Sequence, residues 1–283
     1  MDCDIIDSLK SNEIEFCKSW SDHSINLNDS FRILVNRSLR DDYFLNRVIL
    51  TNGIEESKRE EKSISSIVSQ LKEIAKQLEI DVYFHINDNL SFLKSILERN
   101  GLRKIDKLTG LVKVIKAQKC FSINEYEKEE PVFNREACKV VSSPDEFDKW
   151  LDIYSNSFGI DIKKRTTIRT SLQKENFKES KFILYEQKLK DRSNNYNNLR
   201  PMGCCLLFPS KDVLGLYCLG TDQMFRNMGV ASNLVEFAVT YAKMNGFDLL
   251  GLQALHSDHT KGFYQRRYFT RVYTHTIFSL PIS

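Results

Sequence analysis

The feature that most constrains the fold is a turn that joins an apolar strand to an apolar-periodic helix. Residues 213–219 form an apolar run, and residues 231–244 repeat apolar side chains with helical spacing. The turn between them reads Arg-x-x-Gly-x-Ala, with Arg226, Gly229 and Ala231 at the fixed positions. The segment therefore predicts a strand end connected directly to a helix start.

Such a turn is suited to bind an anion. The first backbone N–H groups of a helix lack intrahelical partners and point in the same direction, and the helix dipole is positive at this end. Gly229 allows the backbone to approach a ligand closely, and Ala231 places only a methyl group at the start of the helix. The sequence thus predicts a pyrophosphate site at this turn.

A second motif follows a further apolar run at residues 249–255. It reads Gly-Phe-Tyr-Gln-Arg-Arg-Tyr-Phe and spans residues 262–269. Together the two motifs resemble the GNAT (GCN5-related) N-acetyltransferases, which carry Gln/Arg-x-x-Gly-x-Gly/Ala and later a tyrosine on a short helix followed by Gly-Phe. Tyr268 stands where that family has the glycine. The order of predicted elements over residues 138–280, which include a helix capped by Ser143 and a final strand over residues 269–280, also resembles the family.

The resemblance implies an α/β (α+β) fold with a mixed, mostly antiparallel sheet flanked by helices, whose two central strands splay apart at the turn. It implies acetyl-CoA as acyl donor, with the backbone of Leu219 and Thr221 paired to the pantetheine arm and the turn holding the pyrophosphate. The implied acceptor is the amine of a small molecule or peptide. The implied cofactor-binding residues are Leu219, Gly220, Thr221, Arg226, Asn227, Met228, Gly229, Val230, Ala231 and Ser232.

The resemblance also assigns Tyr264 as the catalytic acid. A phenol titrates near ~10 and a thiol near ~8.5, so a tyrosine can protonate a departing thiolate while remaining neutral at pH 7. The alternative is a tyrosine that packs on the core. No carboxylate lies on the motif strand, so the general base stays open among His256, Asp222 and a base that acts through water.

The first half of the chain reads as a faint copy of the second. We predict helices over residues 4–19, 57–78 and 89–99, and strands over 31–35, 43–50, 81–86 and 108–116. Leu97 occupies the position of the tyrosine, and Glu55 and Glu56 precede the long helix, where they would repel a pyrophosphate. The first half is therefore either a degenerate GNAT-like domain that binds no acyl-CoA or an unrelated small α+β domain.

An acidic segment separates the two halves. Residues 119–136 contain four glutamates in their middle and then Pro131, which is typical of a linker. We therefore expect a first domain over residues 1–118, a linker over 119–136 and an acetyltransferase domain over 137–283.

Composition and residue spacing limit the partners, the metal sites and the cellular location that we expect for this chain. A formal net charge of +3 is too small to indicate a nucleic-acid or membrane partner. The seven cysteines show no Cys-x-x-Cys spacing, and His256 and His259 have no third ligand nearby, so we expect no metal. No apolar run approaches the length of a membrane span, and the acidic start lacks a signal core. We expect a cytoplasmic protein; nothing in the sequence indicates its oligomeric state.

Two function classes remain. One is an N-acetyltransferase that moves the acetyl group of acetyl-CoA to an amine. The other is a non-catalytic module of GNAT fold that holds acyl-CoA, which the tyrosine at 268 and the missing carboxylate keep open. An acyl donor longer than acetyl also remains open.

Overall fold

The computed structural model describes residues 3–50, 61–115, 135–188, 199–258 and 260–280. The chain divides into two compact units. Unit 1 comprises Met1–Val112 and Gln253–Ser283, and unit 2 comprises Lys113–Leu252. The domain boundaries expected from the sequence stay a prediction, and most of the expected linker lies outside the described residues. Within those residues, no helix combines the length and apolarity needed to cross a bilayer.

The described strands of unit 1 pair in a mixed arrangement, in which β3 and β4 run parallel and the other neighbouring strands run antiparallel. Its strands lie in the order β1-β2-β3-β4-β11-β5. The helices are α1 (Cys3–Trp20), α2 (Glu61–Leu78), α3 (Ser91–Arg99) and α7 (Lys261–Gln265). The strands are β1 (His23–Asn26), β2 (Phe31–Val35), β3 (Arg47–Leu50), β4 (Val82–Asn87), β5 (Arg103–Val114) and β11 (Thr270–Leu280).

The apolar stripe of α2 explains its place on one face of this sheet. Its residues recur every three or four positions and are buried against alternate residues of β4, such as Phe84 and Ile86. On the other face, Cys17 of α1 packs against Leu34 and Ile49. The buried α2 residues are Ile64, Ile67, Val68, Leu71 and Ala75.

One predicted strand is shorter than expected. The prediction over 43–50 is wrong for its first residues, because Asp42 folds the chain into a turn. Its Oδ1 accepts hydrogen bonds from the backbone N–H groups of Phe44 (2.8 Å) and Leu45 (3.1 Å). The chain becomes extended only at Arg47. The strand predicted over 108–116 instead begins at Arg103.

The last strand, β11, completes the sheet of unit 1. It pairs antiparallel with β4 through residues 275–280 and antiparallel with β5 through residues 270–279. A strand was predicted over residues 269–280, and β11 confirms it. Because β11 is hydrogen-bonded on both sides, the sheet of the first half depends on the C-terminal residues of the chain.

A buried polar network fastens α1 to this strand. Glu13 of α1 lies 2.5 Å from Nη1 of Arg47, and both side chains are almost fully buried. The Tyr273 hydroxyl donates to the other oxygen of Glu13 and accepts from Nε2 of Gln253 at 3.1 Å. Burial raises the pKa of Glu13, but the charge of Arg47 and these hydrogen bonds outweigh it and lower the pKa overall. Glu13 is therefore a carboxylate in the folded chain.

Two buried histidines line the same network. His85 Nε2 lies 2.8 Å from the carbonyl oxygen of Tyr43, so this nitrogen carries the proton. The His275 ring stacks on Tyr273 with centroids 4.7 Å apart. Burial, together with the nearby Arg47 charge, lowers the pKa of His85 well below its usual value. Burial is also the largest cause for His275, whose pKa is lowered to about 4 although Glu13 opposes the shift.

The strands of unit 2 lie in the order β10-β9-β8-β7-β6, and among its described strands β9 and β10 are the parallel neighbours while the others run antiparallel. Its helices are α4 (Pro144–Phe158), α5 (Ile162–Leu172) and α6 (Val230–Met244). Its strands are β6 (Cys138–Val140), β7 (Lys181–Lys188), β8 (Leu199–Ser210), β9 (Val213–Thr221) and β10 (Leu249–Leu255). The expected fold, a mixed and mostly antiparallel sheet flanked by helices, is confirmed.

Two glycines bring α4 and α6 close to opposite faces of this sheet. A Cβ at Gly203 of β8 would lie 2.4 Å from Val230 of α6, and one at Gly220 of β9 would lie 2.8 Å from Ser157 of α4. The helix start predicted at Ser143 is confirmed. The Ser143 hydroxyl accepts from the N–H of Glu146 at 3.3 Å.

We predict that Gly110→Ala destabilises unit 1. A Cβ at Gly110 of β5 would lie 2.3 Å from Cζ of the buried Tyr273 ring, so the ring must move and its hydrogen bond to Glu13 must weaken. Overpacking of this kind costs about 1–3 kcal/mol. Urea unfolding measures the loss. Tyr273→Leu removes the ring that the new methyl group would contact. The loss of unfolding free energy in the double variant should therefore be smaller than the sum of the losses in the two single variants. Strictly additive losses would show that the methyl group and the ring do not clash.

We also predict that stability falls as the pH falls from about 6.5 to 5. An unfolded histidine titrates near ~6.5, whereas the pKa of folded His275 is about 4. In this window the unfolded chain binds a proton that the folded chain does not, which lowers stability by about 1.4 kcal/mol per pH unit for each such histidine. The window lies above the range in which Glu13 begins to protonate.

The measurement is urea unfolding of the parent and of His275→Gln at several pH values between 7.5 and 5. The variant should show a pH slope smaller by about one proton. Comparing slopes removes any pH-independent cost of the substitution. Equal slopes in the two proteins would show that His275 is protonated alike in the folded and unfolded chains.

Candidate functional site

The two central strands of unit 2 separate after a short paired stretch. Val213, Leu214 and Gly215 of β9 pair with Leu249, Leu250 and Gly251 of β10. Beyond this point the described strands of unit 2 pair residues 216–221 of β9 on one side only, with β8. The two strands therefore separate beyond Gly215, as the sequence resemblance implied, and Leu219, Gly220 and Thr221 have no strand partner on this edge among the described strands of unit 2.

A β-bulge in the pairing of β8 and β9 changes the direction of the backbone where β9 separates from β10. The pairing register of β8 and β9 shifts between Cys204 and Leu206, and on β9 Cys218 adopts a φ of 53°. The Cys204 thiol lies 3.6 Å from the carbonyl oxygen of Cys218, to which it donates. β-bulges of this type change the direction of neighbouring backbone groups and side chains.

The turn after β9 is built by two local devices. Asp222 accepts a hydrogen bond from the N–H of Met224 at 2.9 Å and so starts a single 3-10 turn over Gln223–Phe225. Asn227 and Gly229 then adopt left-handed conformations with φ of 63° and 81°. These reversals bring the chain to the start of α6 at Val230.

The N-terminus of α6 is suited to an anion. Gly229 occupies the cap position, and no side chain in the described part of the chain caps the helix. The N–H groups of the first turn lack intrahelical partners, and the helix dipole adds positive potential. Gly229 is exposed, and a Cβ there would project into open space, with only Asn233 Nδ2 near it at 3.8 Å. The residues present therefore fit a pyrophosphate group.

The ten predicted cofactor-binding residues lie along one continuous path of unit 2. Leu219, Gly220 and Thr221 end β9 on its open edge, and the remaining seven form the turn and the first residues of α6. Val230 is buried, whereas residues 226–229 are exposed. Their contact with a ligand stays a prediction.

Tyr264 lies on α7, which belongs to unit 1. The residue is 9 % exposed, and its ring packs edge-on against Phe263 and Phe269, with centroids 5.0 Å and 5.7 Å away. Its backbone carbonyl accepts from the N–H of Phe269 at 3.1 Å. These contacts fit both a core tyrosine and a catalytic one, so its role stays a prediction.

Tyr268 explains how the chain departs from the family motif. It adopts a φ of 63° and its side chain is 77 % exposed. A glycine reaches this left-handed conformation without steric cost, whereas a tyrosine is strained there. The turn after α7 thus has a backbone conformation that favours glycine, although a tyrosine occupies the position.

The candidates for the general base differ in their surroundings. Asp222 is engaged in capping the 3-10 turn. His256 is exposed, and its backbone N–H donates to the carbonyl oxygen of Lys107. His259 lies outside the described residues. The identity of the base stays open.

A cluster that the sequence did not reveal has the composition of a metal site. Glu13, His85 and His275 are buried, and each offers one ligand atom within 4.8 Å of the others. However, Arg47 already pairs with Glu13, so a divalent cation would leave a net positive charge of two in the interior. The cluster suits a neutral structural network better than a metal. Its three residues are far apart in sequence, and no motif links them.

Comparisons with known proteins support the resemblance. Residues 147–269 match the model of the acetyltransferase (GNAT) family. No curated protein matches the chain. A GCN5-related N-acetyltransferase from Kribbella flavida is similar in structure, with 14 % identity, a TM-score of 0.63, and coverage of 97 % of this chain and 93 % of that one. One from Sphaerobacter thermophilus has 12 % identity, a TM-score of 0.62, and coverage of 97 % and 89 %.

A tandem GNAT protein from the clavulanic acid biosynthesis pathway is also similar in structure, with 10 % identity and a TM-score of 0.54. The match covers 88 % of this chain and 77 % of that one. At such identities the similarity establishes the fold alone, and it is consistent with a GNAT-like first half. Residues 147–269 therefore match the GNAT acetyltransferase family, and the structure as a whole has the fold of the GNAT proteins to which it is similar.

Proposed function

We propose that the protein transfers the acetyl group of acetyl-CoA to the amine of a small molecule or peptide. GNAT family membership of residues 147–269 supports acyl-CoA-dependent acetyl transfer in general. The observation that carries the finer proposal is the open edge of β9, which leads directly to the uncapped start of α6. A linear ligand with an anionic middle and an amide-containing arm fits this path.

Binding uses the backbone more than side chains. The pyrophosphate lies on the N–H groups of the turn and of the first residues of α6. The amides of the pantetheine arm pair with Leu219 and Thr221 on the open edge of β9, as an added strand would. The exposed Arg226 at the start of this turn adds a positive charge beside the phosphates.

Positioning is the main source of rate in this proposal. Holding the thioester beside a neutral amine makes the attack effectively unimolecular. The tetrahedral intermediate then collapses and expels the CoA thiolate, for which Tyr264 is the proposed proton donor. The base that keeps the amine neutral is one of the open candidates or a water.

The second candidate function is a GNAT-like module that binds acyl-CoA without turnover. The packed ring of Tyr264 and the lack of a carboxylate on β9 favour it. Incubation of the protein with acetyl-CoA and a panel of amines, followed by assay of free thiol, separates the two. Amine-dependent release of CoA supports the enzyme, whereas binding with no release for any amine supports the module.

We predict that Gly229→Glu abolishes acetyl-CoA binding. The side chain would project from an exposed position with φ of 81° and place a carboxylate against the pyrophosphate. Isothermal titration calorimetry measures the affinity. Gly246→Glu is the matched control, because Gly246 is exposed at the other end of α6, has a φ of 76° and is equally open. Unchanged affinity in Gly229→Glu would remove the turn from the site.

The same titration gives the number of sites. We expect one acetyl-CoA per chain, since Leu97 and the two glutamates at 55 and 56 do not fit a second site. A stoichiometry of two would show that the first half also binds acyl-CoA.

We predict that Tyr264→Phe lowers kcat and leaves acetyl-CoA affinity nearly intact. The hydroxyl matters only when negative charge grows on sulfur, so its loss affects turnover rather than ground-state binding. A general acid contributes on the order of 10²–10⁴-fold, and the lower end applies because a thiolate is a fair leaving group. Tyr268→Phe, at an exposed tyrosine, is the control. An unchanged kcat with a rate-limiting chemical step would remove Tyr264 from the mechanism.

A further inference from the structure

The first turn of α6 contains an asparagine whose side chain folds back onto the start of the helix. Nδ2 of Asn233 donates to the carbonyl oxygen of Gly229 at 3.0 Å, and the backbone N–H of Asn233 donates to the same oxygen at 3.0 Å. This carbonyl therefore accepts two hydrogen bonds from one residue. The amide of Asn233 also borders the open space beside Gly229, where a Cβ would lie 3.8 Å from Nδ2.

Two other asparagines make the same bond at positions where it has a structural use. Nδ2 of Asn100 donates to the carbonyl oxygen of Ile96 at 2.9 Å, and Nδ2 of Asn245 donates to that of Tyr241 at 2.8 Å. Both asparagines are C-caps, Asn100 of α3 and Asn245 of α6. The last carbonyl groups of a helix lack intrahelical partners, so a side-chain donor there stabilises the helix end.

Asn233 lies at the opposite end of α6, where this reason does not apply. The groups that lack partners at a helix start are N–H groups rather than carbonyl groups. Asparagine is also a poorer helix former than alanine inside a helix, because its side chain competes for backbone hydrogen bonds. Position 233 therefore carries a residue that helix formation alone does not favour, and such local conflicts are typical of functional sites.

The bond from Asn233 fixes the peptide group that joins Gly229 to Val230. A trans peptide group is planar, so its C=O and N–H bonds point in opposite directions. Gly229 has a φ of 81° and no Cβ, which gives the peptide group after it more freedom to rotate than another residue would allow. Because two hydrogen bonds hold the carbonyl along the helix, the N–H of Val230 points away from the helix, towards the proposed pyrophosphate.

We propose that Asn233 is a positioning residue for acetyl-CoA: by holding the carbonyl of Gly229, it directs the N–H of Val230 at the pyrophosphate. This proposal rests on the proposed acetyl-CoA site. Asn233 acts through the backbone, so its role needs a donor to Gly229 rather than an amide as such. A serine can supply this donor, since serine hydroxyls in helices often donate to the carbonyl four residues earlier. Ser69 of α2 and Ser95 of α3 do so at 3.1 Å and 3.2 Å.

The experiment measures affinity for acetyl-CoA and for CoA by isothermal titration calorimetry, and stability by urea unfolding. The variants are Asn233→Ala, which removes the bond, and Asn233→Ser, which restores a donor. The matched control is Asn245→Ala, which removes the same kind of bond at the other end of α6. Acetyl-CoA and CoA share the pyrophosphate and differ only at the sulfur, so a change in phosphate binding affects both ligands equally.

We expect Asn233→Ala to weaken binding of both ligands by about threefold to tenfold, the usual net value of one hydrogen bond. Its urea midpoint should equal or exceed that of the parent, because alanine is the better helix former. Asn233→Ser should bind both ligands to within about twofold of the parent, since it keeps the hydrogen bond. Asn245→Ala should lower the urea midpoint and leave both affinities unchanged.

Unchanged affinity in Asn233→Ala, or an equal loss of affinity in Asn245→Ala, would overturn the proposal while the acetyl-CoA site stands. A loss of affinity together with a lower urea midpoint in Asn233→Ala would also overturn it, because the role would then be structural. A serine variant that binds no better than the alanine variant would overturn it by showing that the bond to Gly229 is not what matters. If the parent protein binds neither ligand, the proposed function itself fails.

Discussion

The candidate site depends on the missing backbone pairing along one edge of β9. Strand edges are normally paired or covered, because unsatisfied N–H and C=O groups attract other strands. Here parallel pairing with β10 ends at Gly215, and among the described strands of unit 2 Leu219, Gly220 and Thr221 have no strand partner on that side. An extended ligand with amide groups satisfies such an edge as a strand would. The turn and α6 then receive the anionic part of the same ligand, because they follow β9 without interruption.

Two glycines of the sheet determine how closely the helices α4 and α6 pack near β9. Gly203 admits Val230 and Leu234 of α6 on one face, and Gly220 admits Ser157 of α4 on the other. At each glycine an added Cβ would lie closer to its neighbours than real Cβ atoms do, so a larger residue at either position would force the helix or the strand to move. Because α6 is held this close to the sheet, its N-terminus lies at the end of β9, where the pyrophosphate is proposed to bind.

The sequence predicts the local parts of this architecture well. The stripe of α2, the Ser143 cap and the strand–turn–helix segment at residues 213–244 each depend on neighbours in the chain, and each is confirmed. What the sequence does not reveal depends on distant residues. The insertion of β11 between β4 and β5 joins positions roughly 160 to 200 residues apart, and no periodicity encodes that choice. The network of Glu13 and Tyr273 was missed for the same reason. The late start of β3 was missed because the side chain of Asp42 accepts a hydrogen bond from the backbone and folds the preceding residues into a turn.

Folding and the proposed binding depend on different parts of the chain. Unit 1 is held by β11 and by the buried Glu13–Arg47 pair, and neither requires an open strand edge. Unit 2 supplies the open edge and the bare helix start, whose exposed groups add little to stability. Removal of one partner of a buried ion pair typically costs about 3–5 kcal/mol, whereas a change on an exposed turn usually costs far less. Loss of the first set of interactions therefore destabilises the chain whether or not a ligand binds, whereas a change in the second set affects mainly the proposed binding.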